Sequence, residues 1–143
     1  MHISQKGIDF IKQKEGCSLK KYLDIGGKPT IGVGHLITEK ENIANEITNE
    51  QAEELLRKDL KVVEDAINKY VKVSIDQEQF DALCSLIFNI GVGAFISSTL
   101  LKELNNNNIL KAADQFLRWI YVNKKISPGL LARRQSEVDL FLS

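Results

Sequence analysis

Apolar residues recur along this chain at two periods, and the changes of period divide it. Ile3, Ile8 and Ile11 lie at helical spacing, so a short first helix is expected, with Ser4 as its cap and Gly16 as its stop. Glu15 follows Ile11 by four residues and Ile8 by seven. That spacing puts its carboxylate on the side of the apolar stripe, at the helix C-terminus. From Ser18 to Leu36 the period drops to two. Tyr22 and Leu23 lead to Asp24, Ile25-Gly26-Gly27-Lys28 supplies a tight turn, and Thr30 to Leu36 reads as one return strand. Along it Thr30, Gly32 and Gly34 share one face, while Ile31, Val33 and His35 share the other. One hydroxyl and two bare backbones suit a polymer laid against the strand. The same glycines also fit bulges in a flexible hairpin.

Glu39 to Ile47 is polar and reads as a loop with a short helical turn. Thr48 and Gln51 then form a capping box, and Ala52, Leu55, Leu56, Leu60, Val63, Ala66, Ile67 and Tyr70 continue at helical spacing. A helix of some twenty residues spans about 30 Å, enough to bridge two lobes. Asp59 falls between Leu56 and Leu60, and an acid on an apolar face needs a partner. His35 is the candidate. Ser74 and Gln77 suggest a second capping box before Phe80, Leu83, Cys84, Ile87 and Phe88, the stripe of a central helix that Gly91 and Gly93 break. Ser97-Ser98-Thr99 opens a short helix with Leu100, Leu101 and Leu104. Asn105 to Asn108 reads as its C-cap and a linker, and Ile109 to Trp119 as the next helix. Lys124 and Lys125 fall in a loop. Pro128 opens a last helix docked by Leu131, Val138, Phe141 and Leu142.

These elements describe an α+β, mostly helical fold. No internal repeat divides the chain and no long linker does, so residues 1–143 are expected to form a single domain with two lobes. The small lobe covers about 15–58 and holds a small antiparallel sheet. The helical lobe combines about 1–14 with 70–143, and the connecting helix runs over about 48–70. Nineteen basic and nineteen acidic side chains cancel, which removes the global field of a general nucleic-acid binder. No stretch approaches the roughly 18 apolar residues that span a bilayer, and the N-terminus lacks the apolar run of a signal peptide. Synthesis in the cytoplasm, without stable membrane insertion, is the expectation. Cys17 and Cys84 are too few and too far apart for a disulfide framework or a metal site. Cys84 reads as a buried thiol. Cys17, two residues past Glu15, is either a bystander or a place where oxidation would disturb a site.

Candidate chemistry concentrates at Glu15, Asp24 and Thr30. Glycosidic cleavage needs one protonated carboxyl to serve the leaving oxygen and one ionised carboxylate to act as nucleophile or to position water. Glu15 at the end of an apolar stripe, facing the C-terminal dipole, is expected to hold its proton more tightly than usual. Asp24, before an exposed turn, is expected to ionise normally, and the Thr30 hydroxyl could hold a water beside it. No metal or cofactor enters this chemistry.

The spacing Glu15, eight residues, Asp24, five residues, Thr30, continuing into Ile31-Gly32-Val33-Gly34-His35, resembles the phage-type lysozymes, the endolysin muramidases of glycoside hydrolase family 24. Gln79-Phe80-Asp81-Ala82-Leu83 leading to Phe88-Asn89-Ile90-Gly91-Val92-Gly93-Ala94-Phe95 is a second matching block. Arg118-Trp119, followed by Ser127-Pro128-Gly129-Leu130 and Arg133-Arg134, is a third. The resemblance covers nearly the whole chain. It implies that Glu15 is the catalytic acid, Asp24 the water-directing base and Thr30 its hydroxyl helper. The substrate would be the β-1,4 link between N-acetylmuramic acid and N-acetylglucosamine in peptidoglycan glycan strands, hydrolysed with inversion. Substrate contacts would come from Gly32, Leu36, Phe88, Asn89, Ser98 and Thr99, with His35 and Asp59 as a structural pair. Phe88 and Trp119 also read as core aromatics. A monomer that reaches the wall after a separate protein permeabilises the membrane is the implied setting. Asn123-Lys124-Lys125 stands where many relatives carry a glycine-rich loop. Arg133 and Arg134 read either as partners for stem-peptide carboxylates or as a solvated face. Two rivals remain at this level: a lytic transglycosylase, which needs one Glu and no water, and a silent peptidoglycan-binding or antibacterial effector module.

Overall fold

A computed structural model describes residues 1–143. Ser4 caps α1 (Gln5–Glu15) by accepting the Gly7 amide, and Gly16 ends the helix at φ 76°. Strands β1 (Ser18–Leu23), β2 (Pro29–Gly32) and β3 (His35–Leu36) form an antiparallel sheet in that spatial order. Thr30 lies at its centre, opposite Tyr22 on one side and Leu36 on the other. The expected single return strand is therefore two strands. Ile31 pairs with His35, so Gly32-Val33-Gly34 is a three-residue reversal, and both glycines sit at positive φ, 67° and 66°. Alternation alone did not distinguish a flat strand from this reversal. It also misassigned a face: Gly32 is buried, where an added β-carbon would lie 3.5 Å from that of Ala52, while Gly34 is exposed beside Glu15.

Helix α2 (Asn49–Tyr70) begins with the expected Thr48–Gln51 capping box. It serves two apolar clusters. Ala52 packs with Ile31 and Ile47 beneath the sheet, whereas Leu56, Leu60, Val63 and Ile67 belong to the main core with Ile8, Ile11, Phe80 and Leu83. Helix α3 (Gln77–Ile90) runs through that core, but its capping box is Asp76–Gln79 rather than Ser74–Gln77. The later start frees the Gln77 amide to donate to the His2 carbonyl and to Asp81. Gly91, at φ 94°, separates α3 from α4 (Val92–Ile96).

Ser98 caps α5 (Thr99–Asn105), and Asn105 ties the end of α5 to that of α2, accepting the Lys72 amide at 2.7 Å and donating to the Tyr70 carbonyl at 2.9 Å. The helix expected over 109–119 is shorter: α6 (Ile109–Gln115) tightens into one 3-10 turn, Phe116–Arg118. The loop expected at Lys124 and Lys125 is instead a hairpin of β4 (Tyr121–Val122) and β5 (Lys125–Ile126). Asn123 and Lys124 both take positive φ, the geometry of a two-residue turn without glycine. Ser127 and Pro128 start α7 (Pro128–Leu142), which packs on α3. Leu140 and Phe141 are buried, but Leu142 is exposed, and the buried set on α7 includes Arg133, Arg134 and Glu137. No helix is long and apolar enough to cross a membrane.

Candidate active site

The reversal after β2, the end of α1, the middle of α2 and the end of α3 converge on a cleft of about 370 Å³. It is lined by Glu15, Gly34, His35, Leu36, Asp59, Phe88 and Asn89. Glu15 is the last residue of α1, and Gly16 turns the chain away directly behind it. An added β-carbon on Gly34 would sit 3.7 Å from Glu15 Oε2, so a bare backbone is what lets the reversal approach the acid.

Glu15 does not sit in the apolar surroundings that its spacing suggested. The Arg133 guanidinium, 118 residues away in sequence, donates through Nη1 to Glu15 Oε1. The apolar stripe of α1 ends a turn earlier, at Ile11, and α7 brings a charge to the space beyond it. Arg133 also donates through Nη2 to the Ser85 carbonyl at 3.0 Å and through Nε to Glu137 Oε2 at 3.2 Å. Arg134, with no exposed surface, donates through Nη2 to Asn89 Oδ1. Since that oxygen is taken, the Asn89 amide NH₂ is the group free to donate into the cleft. The two arginines are thus neither a solvated face nor a surface for stem peptides; they form a charged wall behind the cleft. Burial pushes the Glu137 carboxyl up, opposed by Arg134, the Ser85 hydroxyl and Arg133. Burial likewise lowers Arg134, opposed by Glu137. Arg134 Nε lies 3.2 Å from Glu137 Oε1 but is misaligned, so neither atom completes a hydrogen bond.

Asp24 and Thr30 are held by the turn between β1 and β2, and Lys28 is their shared partner. Its amide donates to Asp24 Oδ1 at 2.8 Å, and its carbonyl accepts from the Asp24 amide at 2.9 Å. The same carbonyl accepts the Thr30 hydroxyl at 2.9 Å. Asp24 is half-buried and Thr30 buried. Neither belongs to the lining around Glu15; Thr30 pairs in the sheet with Leu36, which does line it, and Asp24 lies in the turn just past β1.

His35 and Asp59 meet as expected, with Nδ1 2.8 Å from Asp59 Oδ2. The other ring nitrogen lies 2.9 Å from Glu41 Oε2, a partner that the sequence reading missed. A carboxylate on each nitrogen requires both to carry hydrogen, the imidazolium form. Burial opposes that charge, but Asp59 and Glu41 outweigh it and raise the His35 pKa above its ordinary value. The Thr38 amide, opposed by slight burial and aided by His35, keeps the Glu41 carboxyl below its ordinary range. A polar loop carries no periodicity, so the only signal for Glu41 was its place six residues after His35.

The remaining assigned residues divide. Leu36, half-exposed, and Phe88, which also packs on the main core, line the cleft with Asn89. Ser98 spends its hydroxyl on α5, accepting the Leu101 amide and donating to the Phe95 carbonyl, and Thr99 is exposed beside it. Neither lines the cleft, nor does the buried Gly32. Trp119 packs against the main core, as its reading as a core aromatic expects. Cys84 is buried, which pushes its thiol well up, and Cys17 is exposed.

A carboxyl-bearing cleft between a small antiparallel sheet and a helical core defines a lysozyme-type glycoside hydrolase. The Phage lysozyme family model matches residues 12–137, and the chain belongs to that family. It is 50% identical to the endolysin of Salmonella phage P22 and 48% identical to that of Acyrthosiphon pisum secondary endosymbiont phage 1. In each case the match covers 100% of this chain and 99% of the relative. Its fold superposes on a P22 lysozyme mutant with a TM-score of 0.92 at 49% identity, covering 100% of this chain and 99% of that one. The muramidase domain of SpmX from Asticaccaulis excentricus gives 0.90 at 35% identity, with the same coverage.

Proposed function

We propose that the protein is an endolysin that hydrolyses the β-1,4 bond between N-acetylmuramic acid and N-acetylglucosamine in peptidoglycan, inverting the anomeric centre, with Glu15 as acid and Asp24 and Thr30 holding the water. The observation that carries this reading is the division of the acids between two supports. Glu15 stands on a helix end in the cleft wall. Asp24 and Thr30 stand together on one turn through Lys28. A glycan strand lying along the reversal, over Gly34 and Leu36 and against Phe88 and Asn89, would meet both. Glu15 delivers its proton to the leaving oxygen. The Thr30 hydroxyl donates to Lys28, so its lone pairs remain to accept from a water. That water gives its other proton to the free Asp24 oxygen as it attacks from the opposite face.

On this reading the lobes at about 15–58 and about 1–14 with 70–143 close on one strand, and Ser98 and Thr99 meet the glycan further from the bond. The protein works as a monomer and without nucleic acid, and a separate membrane-permeabilising protein releases it to the wall. Mass spectrometry of muropeptides tests the reaction. The expected products carry ordinary reducing ends, first formed with inverted configuration by NMR, and Glu15→Gln releases none. Anhydro-muramyl ends that persist in Asp24→Asn would assign the transglycosylase reaction instead.

A further inference from the structure

Two carboxylates meet one guanidinium at the back of the cleft. Arg133 binds Glu15 through Nη1 and Glu137 through Nε. Glu137 is completely buried and lines no part of the cleft, so contact with a glycan does not account for it. We propose that Glu137 is a positioning residue for the acid: by sharing the Arg133 guanidinium, it lets that arginine aim Glu15 into the cleft without holding it ionised. The inference rests on Glu15 being the proton donor.

A guanidinium beside a carboxylate favours the ionised form, whereas a proton donor must begin protonated. Arg133 alone would therefore orient Glu15 and disable it together. Glu137 relieves that conflict only if it carries a charge, and its surroundings give it one. Oε2 accepts the Ser85 hydroxyl at 2.5 Å and Arg133 Nε at 3.2 Å, while Arg134 stands 3.2 Å from Oε1. The Ser85 hydroxyl itself receives Arg133 Nη2 at 3.4 Å, which leaves its own proton pointing at Glu137. Two donors on Oε2 and a second guanidinium beside Oε1 favour the carboxylate against the burial that opposes it. The charge behind Glu15 is then Arg133 plus Arg134 less Glu137, one net positive charge where two would otherwise stand.

The other charged groups facing Glu15 are His35 and Asp59 across the cleft, joined with Glu41 in one bridge that the Glu137 and Arg134 variants leave in place. Lys14, adjacent on α1, is turned to Ser136 at 3.1 Å. Packing α7 on α3 gives no reason for a buried ionic cluster, because well-packed apolar residues of similar volume usually stabilise as well or better.

The test is the pH dependence of lysis of permeabilised cells. In Glu137→Gln the alkaline limb, where the donor loses its proton, moves to lower pH by about one unit. In Arg134→Gln it moves to higher pH, and in the double variant it returns close to the wild-type position. A purely structural role lowers the rate and the melting temperature and leaves the limb in place, so a folded Glu137→Gln with an unmoved limb overturns the proposal. Should that variant fail to fold, Arg134→Gln is compared with the double variant, in which two neutral amides replace the buried pair; coincident limbs there overturn it equally. Glu15→Gln is assayed in parallel. If it lyses cells normally, the donor assignment itself falls, whereas a dead Glu15→Gln with an unmoved limb in Glu137→Gln removes only the role of Glu137.

Discussion

The two acids of this site are held in opposite ways. Glu15 leans on a wall of buried charge carried by α7 and backed by Ser85 and Asn89 of α3, with its ionic partner 118 residues away. Asp24 is held by the backbone of its own turn, with its partner four residues away. A carboxylate gripped by a nearby amide keeps its place as long as the turn persists. A carboxylate gripped by a guanidinium depends on everything that positions α7. The apolar clusters show the same contrast, since three buried residues underlie the sheet and twenty-three form the main core. Asp24 therefore rides on a thinly packed region whose precision is local, and Glu15 on a thickly packed one whose precision is global. Such thin packing also makes the sheet the first region expected to open.

Four measurements break or sharpen that contrast. Glu15→Gln should lower lysis by about 10²–10⁴-fold, the usual worth of a general acid, with the melting temperature almost unchanged because the amide oxygen still accepts from Arg133. Asp24→Asn should lower lysis by about 10²-fold and also leave stability nearly intact, since the Asn side-chain oxygen can still accept the Lys28 amide. A large loss of stability in Asp24→Asn would show that the turn depends on charge rather than on its own hydrogen bonds.

Arg133→Gln should destabilise the fold by about 3 kcal/mol in urea titrations, because it leaves Glu137 buried beside a misaligned Arg134. A neutral outcome would mean that the wall is no more global than the turn. The smallest effect belongs to His35→Asn, about 1.5 kcal/mol at a mildly acidic pH. His35 binds its proton more tightly folded than unfolded. Its stabilising contribution is thus complete below the unfolded value and is lost as pH rises through the higher folded one. The stability gap between wild type and His35→Asn should be full near pH 5.5 and shrink on the alkaline side. A gap that widens with pH would remove the imidazolium bridge to Asp59 and Glu41.

Legibility in the sequence followed sequence separation. The Thr48–Gln51 box, the Ser4 cap, Pro128 at a helix start and the Asp24 turn were all readable, because each is settled within a few residues. The His35–Asp59 pair was readable across 24 residues because an acid on an apolar helix face demands a partner. The reversal at Gly32-Val33-Gly34 and the β4–β5 hairpin were missed, since alternation fits a strand and a reversal alike and Asn123-Lys124 lacks the glycine that marks a turn. The Ser74–Gln77 box was misplaced by two residues because Asp76 also presents a glutamine three residues on, and the helix takes that pair, with Gln77 docked on His2 and Asp81 instead.

By itself, the sequence determined the helical character, the small sheet, and the order in which Glu15, Asp24 and Thr30 come, since backbone propensity, capping and turn chemistry act over a few residues. What surrounds Glu15 was decided only by tertiary structure. Periodicity shows which face of a helix turns inward, but it does not show what stands there, and here α7 brought a guanidinium with its own buried counter-charge to the place where an apolar pocket was expected.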